Sequence, residues 1–95
     1  MPAYVIADMN VTDAAGYEEY KRLAPPAIEK YGGRYLARGG ETAVLEGDWT
    51  PSRLVILEFP SVEKAKAFYE SSEYGVARNV RKGKGTFRMV VTAGF

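Results

Sequence analysis

Residues 53–74 read Arg-Leu-Val-Ile-Leu-Glu-Phe-Pro-Ser-Val-Glu-Lys-Ala-Lys-Ala-Phe-Tyr-Glu-Ser-Ser-Glu-Tyr, and their pattern decides the fold. Arg53 to Phe59 is an apolar run of strand formers broken by one charge, Glu58. Pro60 cannot donate to a sheet ladder and ends the strand, and Ser61 is a helix N-cap. Val62, Ala65, Phe68 and Tyr69 then recur at helical spacing until Ser71-Ser72 interrupts them, and Glu73 to Arg81 reads as a short further helix. A buried strand carrying a carboxylate must supply that carboxylate with a partner, so Glu58 is the first residue to follow.

Working outward, Ala3 to Val11 alternates: Tyr4, Ile6, Asp8 and Asn10 face one way and Ala3, Val5, Ala7 and Met9 the other, as in a half-buried strand. Thr12-Asp13 caps a helix whose apolar stripe runs Tyr17, Tyr20, Leu23, Ala24, Ala27, Ile28 and Tyr31. Pro25-Pro26 removes two backbone donors in its middle, which predicts a kink or two helical pieces, and Gly32-Gly33 ends it. Arg34 to Ala37 and Thr42 to Glu46 read as one bent or bulged strand around Arg38-Gly39-Gly40. The turn Gly47 to Ser52 joins that strand to the next as a hairpin. Gly83-Lys84-Gly85 is a loop, and Thr86 to Ala93 is the last strand.

The order strand, helix, strand, strand, helix, strand is the split βαβ plan: an α+β, ferredoxin-like βαββαβ domain over residues 1–95 with both helices on one face of a four-stranded antiparallel sheet. The other face then carries an apolar row, Val55, Leu57 and Phe59 or Leu54 and Ile56 according to register. Packing two such faces together covers both, so the pattern predicts a homodimer. Composition agrees, because 13 basic and 12 acidic residues nearly cancel and the chain carries seven tyrosines. The same charge balance offers no footprint for nucleic acid, and the strand Arg53 to Phe59 lacks the aromatic pair with which a sheet stacks RNA bases. The opening Met-Pro-Ala-Tyr-Val-Ile-Ala-Asp has no basic lead-in and no long apolar run, which predicts a cytoplasmic protein with no membrane span. The absence of cysteine and histidine excludes thiol and imidazole nucleophiles and nearly every zinc site, and no metal or cofactor is expected.

The segments Tyr31-Gly32-Gly33-Arg34-Tyr35-Leu36-Ala37-Arg38-Gly39-Gly40, Leu45-Glu46-Gly47-Asp48-Trp49, Glu58-Phe59-Pro60-Ser61 and Ser72-Glu73-Tyr74 resemble, in order, a small bacterial family catalogued as domain of unknown function 1330. The resemblance runs over almost the whole chain. It implies a ferredoxin-like subunit that pairs into a dimeric α/β barrel, and it transfers no catalytic residue because the family has no established reaction. The Pro25-Pro26 pair and the glycine-broken basic run Arg78 to Lys84 are where this chain departs from the family's pattern.

Candidate site residues follow from the strand arithmetic. If Ile6 lies opposite Ile56, Tyr4 lies opposite Glu58 on the same face, and the hairpin brings Arg38 to the same end. Tyr4, Arg38 and Glu58 are therefore the catalytic candidates, a carboxylate base or anchor tuned by a phenol and a guanidinium, against the alternative of a structural ion pair that fixes register. Asp8 lies four residues from Tyr4, roughly 13 Å at about 3.3 Å per residue, too far to share a proton with Glu58, and belongs at a strand end or pocket rim. Tyr20, Tyr69 and Tyr74, with Tyr17 and Tyr31, place phenols where a cavity between helices and sheet would hold a small organic ligand, unless they are ordinary core. Arg78, Arg81, Lys82, Lys84 and Arg88 lack the Gly-Lys-Ser/Thr ending of a phosphate loop and read as a solvated basic segment, with an anionic ligand as the alternative. Trp49 reads as a cap over the core or the dimer edge. The functional expectation is a cofactor-independent enzyme or binder of a small organic molecule, the alternative a non-catalytic dimeric scaffold or ligand sensor.

Overall fold

Alternation in Ala3–Val11 is realised residue by residue: Ala3, Val5, Ala7 and Met9 are buried while Tyr4, Ile6 and Asp8 are half-buried. A computed structural model describes residues 1–95, and in it this segment is β1, hydrogen-bonded on both sides. Its neighbours are β3 (Leu54–Phe59) and β4 (Gly85–Ala93), and β2 (Arg34–Arg38) pairs beyond β3, giving the antiparallel order β2-β3-β1-β4. Ile6 stands opposite Ile56 and Tyr4 opposite Glu58, the register assumed in placing Tyr4 beside Glu58. Helices α1 (Ala14–Lys30), α2 (Val62–Glu70) and α3 (Ser72–Arg81) pack on the face that carries Val5, Ala7, Met9, Val55, Leu57 and Phe59. The fold is ferredoxin-like α+β. Leu54, Ile56 and Glu58 therefore lie on the opposite face with Tyr4, Ile6 and Asp8.

Local chemistry sets the helix ends. The Asp13 carboxylate accepts the Gly16 N–H at 3.0 Å and starts α1. At its other end Gly32 adopts φ +81°, and the Gly32 and Gly33 N–H groups donate to the Glu29 and Ile28 carbonyls at 3.0 and 2.9 Å. That pair of bonds is a Schellman cap, and it needs the positive φ that glycine tolerates. Pro25 and Pro26 do not divide α1, which runs unbroken from Ala14 to Lys30, so of the two expected outcomes, a kink or two pieces, the second does not occur. The carbonyls their missing donors leave free belong to Lys21 and Arg22, and the side chains there are half-buried and exposed, so water can satisfy them.

Two further expectations are corrected. Thr42 to Glu46 is not strand, and Gly47 to Ser52 is not a tight hairpin turn; residues 39–53 form one irregular connection between β2 and β3. The alternation there has no edge to pair with, because the β2–β3 ladder closes where the Gly39 N–H donates to the Leu54 carbonyl at 2.9 Å. Gly39 sits at φ +69° with the Arg53 guanidinium packed where a Cβ would project, so the chain turns away from the sheet at that point. Residues 41–50 are all exposed.

No helix is long and apolar enough to cross a membrane, and no group of three or more acidic, histidine or cysteine side chains is gathered so as to hold a metal ion. The largest fully buried side chains are Phe59, Phe68 and Tyr74, with ring centroids 5.1 Å apart for Phe59–Phe68 and 4.3 Å for Phe68–Tyr74. Truncating the middle ring leaves a cavity between three elements. Phe68→Ala should lower stability by about 3–5 kcal/mol, read as a lower urea midpoint with an unchanged denaturant slope.

Candidate ligand cavity

Ser71 organises the site from a distance. Its hydroxyl donates to the Phe68 carbonyl at 2.6 Å and accepts the Tyr74 N–H at 3.1 Å, so one side chain closes α2 and opens α3. The extended backbone at Ser71, φ −68° and ψ 155°, redirects the chain, and Tyr74, Ala77 and Arg81 then fall on the buried stripe of α3. Tyr74 meets Tyr20 of α1 hydroxyl to hydroxyl at 2.6 Å. Tyr17 stacks on Tyr20 with centroids 5.0 Å apart and donates to the Met9 sulfur at 2.8 Å.

Beside this tyrosine cluster a cavity of about 530 Å³ opens between α2 and the helix-facing side of β4. Val5, Phe68, Phe87, Met89 and Val91 supply apolar wall, and its ionisable lining is Lys66, Tyr69, Glu70 and Arg81. Phe68 and Met89 also border the narrow seam that holds Tyr17, Tyr20 and Tyr74, so a double-sided wall separates the phenols from the cavity. Burial, then the adjoining Tyr74 hydroxyl, pushes the Tyr20 phenol far above its ordinary pKa, and burial likewise raises Tyr74 and Tyr17. These phenols are hydrogen-bond partners at neutral pH and cannot act there as phenolate bases.

Arg81, expected within a solvated basic segment, is the chief correction: it is only 7% exposed and lines the cavity. Its guanidinium carbon lies 4.3 Å from the Phe87 ring centroid, 5.3 Å from Tyr20 and 5.9 Å from Tyr74. Such stacking on aromatic faces suits a planar cation. One signal could have placed it inward: Arg81 continues the Tyr74, Ala77 stripe at helical steps of three and four.

The trio proposed from the sequence is divided by the sheet. Tyr4 does flank Glu58, but the cation on Glu58 is Arg34, with Nε 2.8 Å and Nη2 2.7 Å from the same carboxylate oxygen. A bulge between Tyr35 and Ala37 advances β2 by one residue, so that Arg38 pairs with Val55 and turns to the helix face, where it lies 4.5 Å from the Tyr35 ring centroid. Without that extra residue Arg38 would share Glu58's face, as the simple register predicts. The Arg34–Glu58 pair is exposed on the arginine side and contributes at most about 1 kcal/mol.

Asp8 is at the far end of the open face, opposite Leu54. Its carboxylate accepts the Trp49 indole N–H at 2.9 Å, the Ser52 N–H at 3.1 Å and Arg88 at 3.1 Å. It thus pins the 39–53 connection across the sheet end, beside a shallow open hollow that Asp48 and Val90 also line. Tyr69 borders the cavity between α2 and β4; Tyr31 instead donates to Glu73, at 3.4 Å.

A family model described as domain of unknown function DUF1330 matches residues 2–95. Among solved structures, the RPA0582 protein of unknown function from Rhodopseudomonas palustris superposes with TM-score 0.78 at 20% identity, over 99% of this chain and 82% of that one. A dimeric ferredoxin-like protein of unknown function from Jannaschia sp. gives 0.70 at 9% identity, covering 99% and 100%. SnoaB, a cofactor-independent oxygenase from Streptomyces nogalater, gives 0.66 at 9% identity, covering 99% and 93%. These similarities show the fold. No curated protein matches significantly.

The hydrogen bond from Trp49, with those from Ser52 and Arg88, holds the Asp8 carboxyl below its ordinary pKa. Loop anchoring is then fully present above about pH 4, the unfolded aspartate range, and is lost as pH falls through the lower folded value. Trp49 is the chain's single tryptophan, so its emission reads the contact directly. Wild-type emission should change on acidification below that range, and Asp8→Asn should show a shifted spectrum already at pH 7. An Asp8→Asn spectrum identical to wild type at pH 7 overturns the anchor.

Proposed function

The chain belongs to the family described as domain of unknown function DUF1330, and from its cavity we propose a role: binding of a small organic molecule between helices and sheet, by a subunit that works as a homodimer. The observation that carries the reading is the cavity itself, about 530 Å³, with Val5, Phe68, Phe87, Met89 and Val91 as apolar wall and Lys66, Tyr69, Glu70 and Arg81 as its polar side. Those are the dimensions and lining of small-molecule sites. Tyr69 at the wall, with Tyr20 and Tyr74 behind it, are the tyrosines this reading retains. Glu58, Tyr4 and Asp8 lie on the opposite sheet face and Arg38 near the β2 edge, so none of them belongs to this site.

The Streptomyces nogalater neighbour is described as a cofactor-independent oxygenase, and we extend only cofactor-independent handling of the bound molecule to this chain. Any turnover would draw on Lys66, Glu70, Tyr69 and Arg81, the cavity's own ionisable groups. The homodimer is supported by the open face, where Ile6, Leu54, Ile56 and the 62% exposed Val90 form an apolar strip, and by neighbours described as dimeric.

A fragment screen by protein-observed NMR tests the site. Small aromatic fragments should perturb Tyr69, Phe87 and Val91; a screen in which no fragment perturbs them leaves the scaffold alternative standing. The assembly is tested separately. Light scattering should give twice the 10.5 kDa chain mass, and Ile56→Lys on the open face should return it to one. A wild-type monomer at micromolar concentration refutes the homodimer.

A further inference from the structure

Three arginines hold a guanidinium nitrogen out of solvent without a counter-charge, and of these Arg81 is itself a buried residue while Arg53 and Arg78 are half-buried. The Arg81 Nη1, Arg78 Nε and Arg53 Nε are all buried with no hydrogen-bond partner. The ion pairs of the chain engage Lys21, Arg22, Lys30, Arg34, Lys84 and Arg88, and none of these three arginines. A guanidinium keeps its charge at any physiological pH, and a buried one left without an acceptor carries a large desolvation cost. Aromatic faces offset part of it: Arg81 stacks on Phe87, Tyr20 and Tyr74, and Arg78 lies 4.6 Å from the Tyr69 ring centroid. They do not accept the in-plane N–H groups, which need oxygen acceptors.

The neighbouring phenols give no anion. Tyr20 and Tyr74 bond to each other and stay protonated at neutral pH, because burial raises both. The sole carboxylate on the cavity lining is Glu70, which is exposed and shares the α2 surface with Lys66. The interior is therefore positive where the cavity is deepest in aromatic wall.

We infer that the cavity takes an organic monoanion with a flat apolar body, such as an aryl carboxylate, whose charged group seats on Arg81 while its ring lies among Phe68, Tyr69 and Phe87. This rests on the cavity being the ligand site, as proposed above. One buried cation, Arg81, with only the exposed Lys66 beside it on the lining, matches a carboxylate better than a phosphate, whose two charges and three oxygens call for more donors. The volume accommodates one or two fused rings.

The test compares isosteres that differ only in charge, 1-naphthoate and neutral 1-naphthamide, titrated calorimetrically into the whole wild-type protein at pH 7.5. Naphthoate should bind at least about tenfold tighter, equivalent to about 1.4 kcal/mol. It should perturb Phe87 and Met89 resonances. Arg81→Lys, which keeps the charge but loses the fork, should retain part of that preference, and Arg81→Met should abolish it. Equal affinity of the two probes in the wild type overturns the anion assignment and leaves the cavity reading intact, whether or not Arg81→Met folds. Failure of both probes and of the fragments at Phe87 removes the cavity reading and this inference with it, and so does binding that perturbs only the open sheet face.

Discussion

Contact between Phe59, Phe68, Tyr74 and Tyr20 is the constraint on which the rest depends, because each ring comes from a different element. Phe59 ends β3, Phe68 lies on α2, Tyr74 on α3 and Tyr20 on α1. The first three are packed as tilted rings within 5.1 Å, and the last joins by its hydroxyl pair with Tyr74 and an edge-on ring contact at 6.1 Å. A core this small has little apolar surface to spend on any one helix. Using aromatic rings lets three helices and a strand share one column, each ring burying a large area with few rotamers to freeze.

The column also explains why the cavity exists where it does. Ser71 stops α2 after Phe68 and restarts the chain as α3 in time to turn Tyr74 inward. Had α2 continued, the apolar stripe would have drifted off the sheet within a turn, since its next positions are Ser71 and Ser72. The break moves α3 toward α1 and leaves the sheet beneath α2, over β4, less fully covered. Arg81 then enters that space from the last turn of α3, with Phe87 of β4 stacked beneath it.

Strand faces and helix stripes were legible because they repeat. The alternation of Ala3 to Val11 shows which of its residues share a face, but β3 is a continuous apolar run that does not fix its register, so Ile6 opposite Ile56 rested on assumption; the Pro60-Ser61 and Ser71-Ser72 punctuation marks both ends of α2. Single-residue events were not legible. Nothing in Arg34-Tyr35-Leu36-Ala37-Arg38 marks a bulge there, since it holds neither glycine nor proline, yet that bulge sends Arg38 to the other face, while antiparallel pairing itself leaves Arg34, not Arg38, at the Glu58 end of β3. Thr42 to Glu46 alternates like a strand but lies past the closed end of its ladder. Arg81 was masked by its own charge: in a run of basic residues the eye assigns solvent, and only the helical phase set by Ser71 shows that it points inward.

The 39–53 connection has a consequence for how this chain tolerates change. It is fixed at its ends, by Gly39 on Leu54 and by Trp49 and Ser52 on Asp8, while the span between carries Leu45 at 99% exposure and contributes no residue to the core. Loop-closure entropy grows only slowly with length, so added residues there disturb the subunit little. Residues inserted between Gly40 and Val44 would leave the aromatic column untouched, whereas Leu45 to Trp49 carries part of the family resemblance and ends on the Trp49 anchor to Asp8.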